Sequence, residues 1–325
     1  MYLLTGDWHL DGEPENAYRW EVFERVRDAL IAFEISTLFV LGDFVDKKDR
    51  HSASFVNRLL DELGALDCRT VILRGNHDTT LSPPNFFDFL HDDKTDYITQ
   101  PTVWGRNHPL LLLPFTPNPK IDWQDLRLPD YKALFMHVTY PGAIGENGHV
   151  LEGTRLPLLR GETKIFSGDV HTPQRFNNFV HVGAPHPVKF GDDYPCRMLM
   201  ISEDTFEIVE EIKLEPTRKL MLDITDVNQL IRFKVRPGDQ VKIRFHATPD
   251  DIEKFGAVEQ QIAAWAQAHG AKIAATEVDV ATGYYQGVDT NQSPAEILKE
   301  YAAQEGLNDN LAKVGLELLK EVTGG

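Results

Sequence analysis

Aspartate, asparagine and histidine recur directly after glycine between residues 6 and 171 of the chain. They stand as Gly6-Asp7-Trp8-His9, Gly42-Asp43, Gly75-Asn76-His77-Asp78 and Gly168-Asp169-Val170-His171, with His137 at the end of an apolar run. Carboxylate, amide and imidazole donors suit borderline-to-hard divalent cations such as Mn²⁺, iron or Zn²⁺, and the lack of cysteine among them argues against a structural zinc. One cation needs three or four protein ligands, and Asp7, His9, Asp43, Asn76, His137, Asp169 and His171 supply more. Two cations about 3.5–4 Å apart, sharing one carboxylate, would use the whole set and would clamp an in-line phosphoryl displacement. Side chains of this kind, buried with no such partner, would cost free energy instead.

Something must bring these residues together. Strands are expected at 2–5, 37–41, 70–73, 110–115, 133–137 and 164–167, and the polar groups come directly after them. Between the first two lies 15–33, with Trp20, Phe23, Val26, Leu30 and Phe33 at helical spacing; Phe55, Leu59, Leu60 and Leu63 repeat the pattern in the next connection. Alternation of strand and helix predicts a layered α/β domain, in which ligands bind off the carboxyl ends of the strands. Extended backbone puts Asp7 and His9 on one side, and likewise Asp169 and His171. The glycines allow sharp exits from the strands and close backbone approach. Runs at 196–201 and 206–214 read as a closing hairpin. After residue 215 the pattern becomes strand, helix, strand, long helix, strand, with Ile252, Phe255, Ile262, Trp265 and His269 on one face of the long helix. A turn-rich linker, GYYQGVDTNQ, then leads to Ser293-Pro294, a cap and then a helix-starting proline, and to two short amphipathic segments.

With 325 residues, 42% of them hydrophobic, the chain can bury a sizeable core in one large domain and a smaller one. A net charge of −17 opposes casual binding to polyanions. The two cysteines, Cys68 and Cys196, have no metal-type spacing and fit a reducing compartment. The start lacks the features of a secretory signal, and no apolar run approaches bilayer length, so a soluble cytoplasmic protein with no membrane association is expected.

The ordered series DWH, GDFVD, GNHD, MH and GDVH resembles the calcineurin-like metallophosphoesterase family. The resemblance implies a four-layer αββα domain. It implies one cation on Asp7, His9, Asp43 and His171, and a second on Asp43, Asn76, His137 and Asp169, with Asp43 bridging. His77 would meet the scissile phosphate and assist the leaving group, oriented by Asp78. The family usually has histidine at position 169; an aspartate there hardens the site and favours Mn²⁺ or Mg²⁺ over zinc. The stretch FVHVGAPHPVKFGDDYPCRMLMI and the elements C-terminal to it look like the SbcD-type branch of DNA repair and recombination exonucleases, and the compact length like its phage members. That branch implies a nuclease domain at 1–215, a small α/β capping domain at 216–282, and a linker with a C-terminal helix pair at 283–325. It further implies a homodimer that degrades DNA by a metal-bound hydroxide, partnered through 294–322 by an SbcC-type coiled-coil ATPase. Alternatives are a stand-alone metallophosphoesterase acting on a small phosphodiester or phosphoprotein, and a non-catalytic scaffold.

Other residues carry weaker expectations. Asp46 reads as an acid bonding its own loop or as an outlying acid of the site. His51 reads as a surface residue or a phosphate contact, and His186 as packing or groove-lining. Between 213 and 246 lie eight Lys/Arg against four Asp/Glu, either a solvated sheet face or a basic strip for the DNA backbone. The terminal helices either pack on their own domain or dock on a partner helix through Ile297, Leu298, Tyr301, Leu311, Leu318 and Val322.

Overall fold

A computed structural model describes residues 1–80, 84–105, 110–126, 131–146, 148–154, 163–248, 255–280, 294–304 and 313–316. Two six-stranded sheets dominate it. The first holds β1 (Tyr2–Thr5), β2 (Thr37–Val40), β3 (Arg69–Leu73) and β4 (Thr95–Ile98), all parallel, and is closed beside β1 by the antiparallel hairpin β11 (Arg197–Ile201) and β12 (Ile208–Lys213), in the order β12-β11-β1-β2-β3-β4. The second runs β5-β6-β7-β8-β10-β9, from β5 (Thr102–Trp104), β6 (Leu110–Leu113), β7 (Ala133–His137), β8 (Lys164–Gly168), β10 (Phe179–His181) and β9 (Gln174–Phe176).

Strand side chains alternate between two cores. Leu4, Phe39, Leu41, Val71 and Leu73 of the first sheet meet Leu110, Leu112, Ala133, Phe135 and Phe166 of the second. Leu3, Leu38, Val40 and Ile72 face the other way, onto α1 (Glu21–Ala32) and α2 (Ala53–Gly64) through Val22, Phe23, Val26, Leu59 and Leu63. Both faces are covered, so the strands read as unbroken apolar runs such as Leu110–Leu113. The outer face of the second sheet packs on Trp123, beside the four-residue α3 (Pro119–Asp122), with Leu126 and Tyr131. The predicted layering is present, with a thin fourth layer. Leu60 and Phe33 fall on the wet side of their helices, at 42% and 39% exposure, which narrows the apolar stripes read from the sequence. The 15–33 helix is two pieces, a 3₁₀ turn over Pro14–Trp20 and then α1.

Beyond residue 215 come β13 (Lys219–Ile224), a 3₁₀ turn (Val227–Arg232), β14 (Gln240–Ala247), α4 (Phe255–His269) and β15 (Lys272–Val280), the expected sequence of elements, with sheet order β13-β14-β15. Ile262 and Ala266 are the buried side chains of α4; Ile252 lies outside the described residues. The chain divides into two compact units, residues 1–245 with 254–278, and residues 246–253 with 279–325. In the second unit α5 (Pro294–Gln304) buries Ala302, and a Cβ placed on Gly315 would come 3.1 Å from Leu298, so 313–316 packs against α5. The linker, Ser293, Leu311, Leu318 and Val322 lie outside the described residues. Cys68 and Cys196 are buried free thiols, and among the described residues no helix is long and apolar enough to cross a membrane.

Candidate metal centre

The strand register sets the site. Thr5 pairs with Val40 and Val40 with Ile72, while His137 pairs with Gly168, so the carboxyl ends of β1, β2 and β3 align on one sheet and those of β7 and β8 on the other. Past β1 and β2 the two loops stay paired: Asp7 N–H donates to Gly42 O, His9 N–H to Asp43 O and Leu10 N–H to Phe44 O. Two bonds stitch the sheets at this end. His137 Nδ1 lies 2.7 Å from Leu41 O, and Asp169 N–H donates to Asp7 Oδ1 at 2.9 Å.

Glycine matters here for clearance. A Cβ on Gly75 would lie 2.1 Å from Asp43 N, and one on Gly42, at φ +89°, would lie 2.2 Å from His137 Nδ1. The ligand residues next to these glycines are bent as well. Asp7, His9, Asp43 and Asp169 have φ of 56°, 45°, 48° and 77°, in the left-handed region that costs a non-glycine residue energy and that clusters at functional sites.

The expected ligands converge. Besides His9, Asp46 and His77, which lie equally close, Asp7, His9 and His171 form one group, and Asp7, Asp43 and His137 another, each with ligand atoms within 4.8 Å of one another. Asp43 spans both, with Oδ2 3.6 Å from His9 Nε2 and Oδ1 3.3 Å from His137 Nε2. Around His137 Nε2 also stand Asn76 Oδ1 at 2.8 Å and Asp169 Oδ1 at 3.6 Å; the other Asp169 oxygen accepts from the Thr139 hydroxyl. Asp169 therefore faces the second group from its margin.

The donor set passes the test for a cation. Nδ1 of His137 is taken by the Leu41 carbonyl, so its Nε2 faces three oxygens, an arrangement satisfied by an imidazolium proton or by a cation held between them. In the other group His9 Nε2 and His171 Nε2 face each other at 3.1 Å, while Asp7 Oδ2 is buried with no hydrogen-bond partner. Electrostatics agree. Burial pushes the Asp7 carboxyl up to about 7. Burial opposes ionisation of Asp43 too, but the His137, His9 and His77 imidazoles hold it well below the usual range. For His137, burial is outweighed by Asp43, Asp169 and Asp7, which raise it well above the ordinary value. His9, chiefly through burial, falls to about 4. Asp7, Asp43 and Asp169 bring three carboxylates to one place, where a bound cation would supply neutralising charge.

His77 donates its backbone N–H to Asp43 Oδ1, stands edge-on to His9, and places Nδ1 3.0 Å from the Asp46 carbonyl. Asp78 does not hold that ring. Its carboxylate is buried and accepts from the amides of Phe44, Val45 and Gly75, tying the β2 loop to the β3 loop. The orienting group for His77 is Asp46, whose side chain also reaches His9 Nδ1 at 3.3 Å. Asp46 thus does more than bond its own loop; its signal was a second acid three positions after Asp43. Arg19 is buried below, contacting His9 O, Asp46 Oδ1 at 3.6 Å and Asp11 Oδ2 at 3.4 Å, and Glu146 Oε1 lies 3.0 Å from His171 Nδ1. Neither carries a pattern in the sequence. His186 bonds Trp8 O and packs on Tyr18, and His51 sits among Phe55, Phe86 and Phe87, so both belong to the packing.

Half of the basic residues at 213–246 are ion-paired. Arg218 pairs with Asp239, Arg236 with Glu215, Lys242 with Glu277 and Arg244 with Asp223; buried Lys219 donates to Asn16 beneath the Tyr18 and Phe190 rings. Lys213, Arg232 and Lys234 carry no ion pair among the described residues.

A family model described as calcineurin-like phosphoesterase matches residues 2–173. Among solved structures, Pseudomonas putida nuclease MPE is similar at 16% identity and a TM-score of 0.29, over 66% of this chain and 71% of that one. GAP50, the anchor in the inner membrane complex of Plasmodium, is similar at 12% identity and a TM-score of 0.40, over 67% and 90%. At those values neither likeness bears on activity. No curated protein matches the chain in sequence. The matched span covers more than half of the chain and contains every residue of the two acceptor groups, from Asp7 to His171: the chain belongs to the calcineurin-like phosphoesterase family.

Proposed function

We propose that this chain is the two-cation phosphodiesterase subunit of a DNA exo/endonuclease of the SbcD type. The observation that carries the two-cation part is Asp43, with one oxygen toward each of two acceptor groups that already share Asp7. Asp7, His9, Asp43 and His171 would hold one cation, and Asp43, Asn76, His137 and Asp169 the other. The carboxylate-rich set favours Mn²⁺. When bound, the pair supplies Lewis acidity toward the phosphate oxygens and a nucleophilic water near neutral pH. His77, as imidazolium, keeps Nδ1–H on the Asp46 carbonyl and donates from Nε2 to the departing oxygen. Asp78 keeps the two loops in register and thereby sets the spacing of Asp43 and Asn76. Support for DNA as substrate is the motif order together with the elements after residue 215, which a small-molecule esterase does not need. On this reading 1–215 is the nuclease domain, 216–282 a cap, and 283–325 a docking segment for a coiled-coil ATPase in a homodimeric complex.

The pairing of charges after residue 215 favours a second reading, a stand-alone phosphoesterase acting on a small diester. One experiment separates them: Mn²⁺-dependent degradation of linear duplex and single-stranded DNA, compared with hydrolysis of a chromogenic phosphodiester. Hydrolysis of the small diester with no attack on either DNA would remove the nuclease reading, and inactivity on all three would remove both.

A further inference from the structure

His9 and His171 present Nε2 to each other, and behind each ring stands a carboxylate at ion-pair distance, Asp46 at 3.3 Å from His9 Nδ1 and Glu146 at 3.0 Å from His171 Nδ1, neither aligned as a hydrogen bond. The two carboxylates are braced differently. Asp46 is backed by buried Arg19. Glu146 comes from an excursion between β7 and β8 that folds into a small hairpin: Gly142 N–H donates to Leu151 O, Leu151 N–H to Ala143 O and Gly145 N–H to His149 O. Its closure needs glycine at 153, where φ is +61° and a Cβ would lie 2.5 Å from Pro141 N. One side chain clamps this hairpin to the domain. Gln174 accepts from Ile144 N–H at 2.8 Å and donates to Ile144 O at 2.7 Å. Most of the hairpin is surface, with Val150 at 69% exposure, yet Glu146 reaches inward from it to a buried imidazole.

We propose that Glu146 is a positioning residue for the first cation site: it fixes the His171 ring with Nδ1–H outward and Nε2 toward Asp7 and His9, and Gln174 holds the hairpin that delivers it. The inference rests on the two-cation reading. A histidine ligand whose second nitrogen donates to a carboxylate is locked in tautomer and orientation and is a stronger ligand for it. Asp46 stands in the corresponding place behind His9, 3.3 Å from its Nδ1. Glu146 acts from a hairpin that Gln174 ties to the domain, so the first site depends on the placement of a surface segment distant from its ligands in sequence.

The test is Mn²⁺ titration of the full chain by calorimetry with chelator competition, alongside nitrogen-15 spectra of the histidine rings in cation-free protein. Glu146→Ala should weaken one of two Mn²⁺ ions by roughly 10–100-fold and leave the other unchanged. Glu146→Gln, which still offers an oxygen, should lose less, and Gln174→Ala should weaken the same ion although it touches no imidazole. In the spectra, Glu146→Ala should release the His171 tautomer and leave His9 as in wild type. Unchanged affinity for both ions in Glu146→Ala, equal loss of both, or an unaltered His171 ring would overturn the proposal. A wild-type chain that binds no Mn²⁺ overturns the two-cation reading instead, and the ring spectra still decide whether Glu146 orients His171.

Discussion

The His77 ring stands edge-on to His9, with centroids 4.7 Å apart and its Nδ1 on a backbone carbonyl, which suits a proton donor more than a ligand. His77→Ala should lower kcat on a chromogenic phosphodiester by about 10²–10⁴-fold while two Mn²⁺ still bind; loss of an ion in the same titration would make His77 a ligand. His181 is a different kind of histidine. It is fully buried, with Nδ1 3.2 Å from Gly168 O and Nε2 accepting from Tyr140 N–H, and burial holds it down to about 4. Its folded value lies below the unfolded one, so the unfolded chain binds the extra proton as pH falls. Stability is full above about 6.5 and drops toward 4, by on the order of 3 kcal/mol from this residue. His181→Gln should flatten the fall of the urea midpoint across that window; an equal slope in both proteins would exclude His181 as its source. At this scale the residues that converge were legible, because each is a metal-binding type set at a strand end. The partners of Asp78 and the roles of Arg19 and Glu146 were not, since each acts through a contact more than 8 positions away that leaves no periodic trace.

Strand ends, more than strands, set the geometry of the centre. Gly75 lets the β3 loop pass against Asp43, whereas Gly6 would accept a Cβ with no contact shorter than 3.4 Å. Gly75→Ala should displace Asp43 and remove high-affinity Mn²⁺ binding, with a stability loss of about 1–3 kcal/mol. Gly6→Ala should bind both ions and change stability by less than about 1 kcal/mol. Thermal denaturation and Mn²⁺ titration of the pair check this contrast, and equal behaviour would show that clearance at Gly75 is not what places Asp43. All six strands expected in the first two thirds of the chain are present to within two residues at each end, because runs buried on both faces are apolar throughout. The short β4, β5 and β9 gave no such signal. Strands such as Thr-Val-Trp and Gln-Arg-Phe exist because a neighbour pairs with them, which is tertiary information.

Across the whole molecule, a net charge of −17 and the ion pairing of Arg218, Arg236, Lys242 and Arg244 reduce the basic surface open to a polyanion. If the cap touches DNA, exposed Arg232 and Lys234 are the groups to do it. Replacing both by Ala should then reduce the slope of log K against log salt by up to about 1.8, near 0.9 per phosphate contact. Filter-binding between 50 and 200 mM salt measures it, and an unchanged slope would assign the stretch to sheet stability. The amino-acid sequence by itself determined the strand–helix alternation, the glycine-flanked ligand residues and the element order after residue 215. Those arise from local burial and local backbone freedom, which each segment carries in its own pattern. Only the tertiary structure decided that Asp43 lies between His9 and His137, that Asp46 and not Asp78 holds His77, that Glu146 stands behind His171, and that half of the basic stretch faces its own acids. Such facts depend on sheet order and register, which bring residues from separate segments within bonding distance.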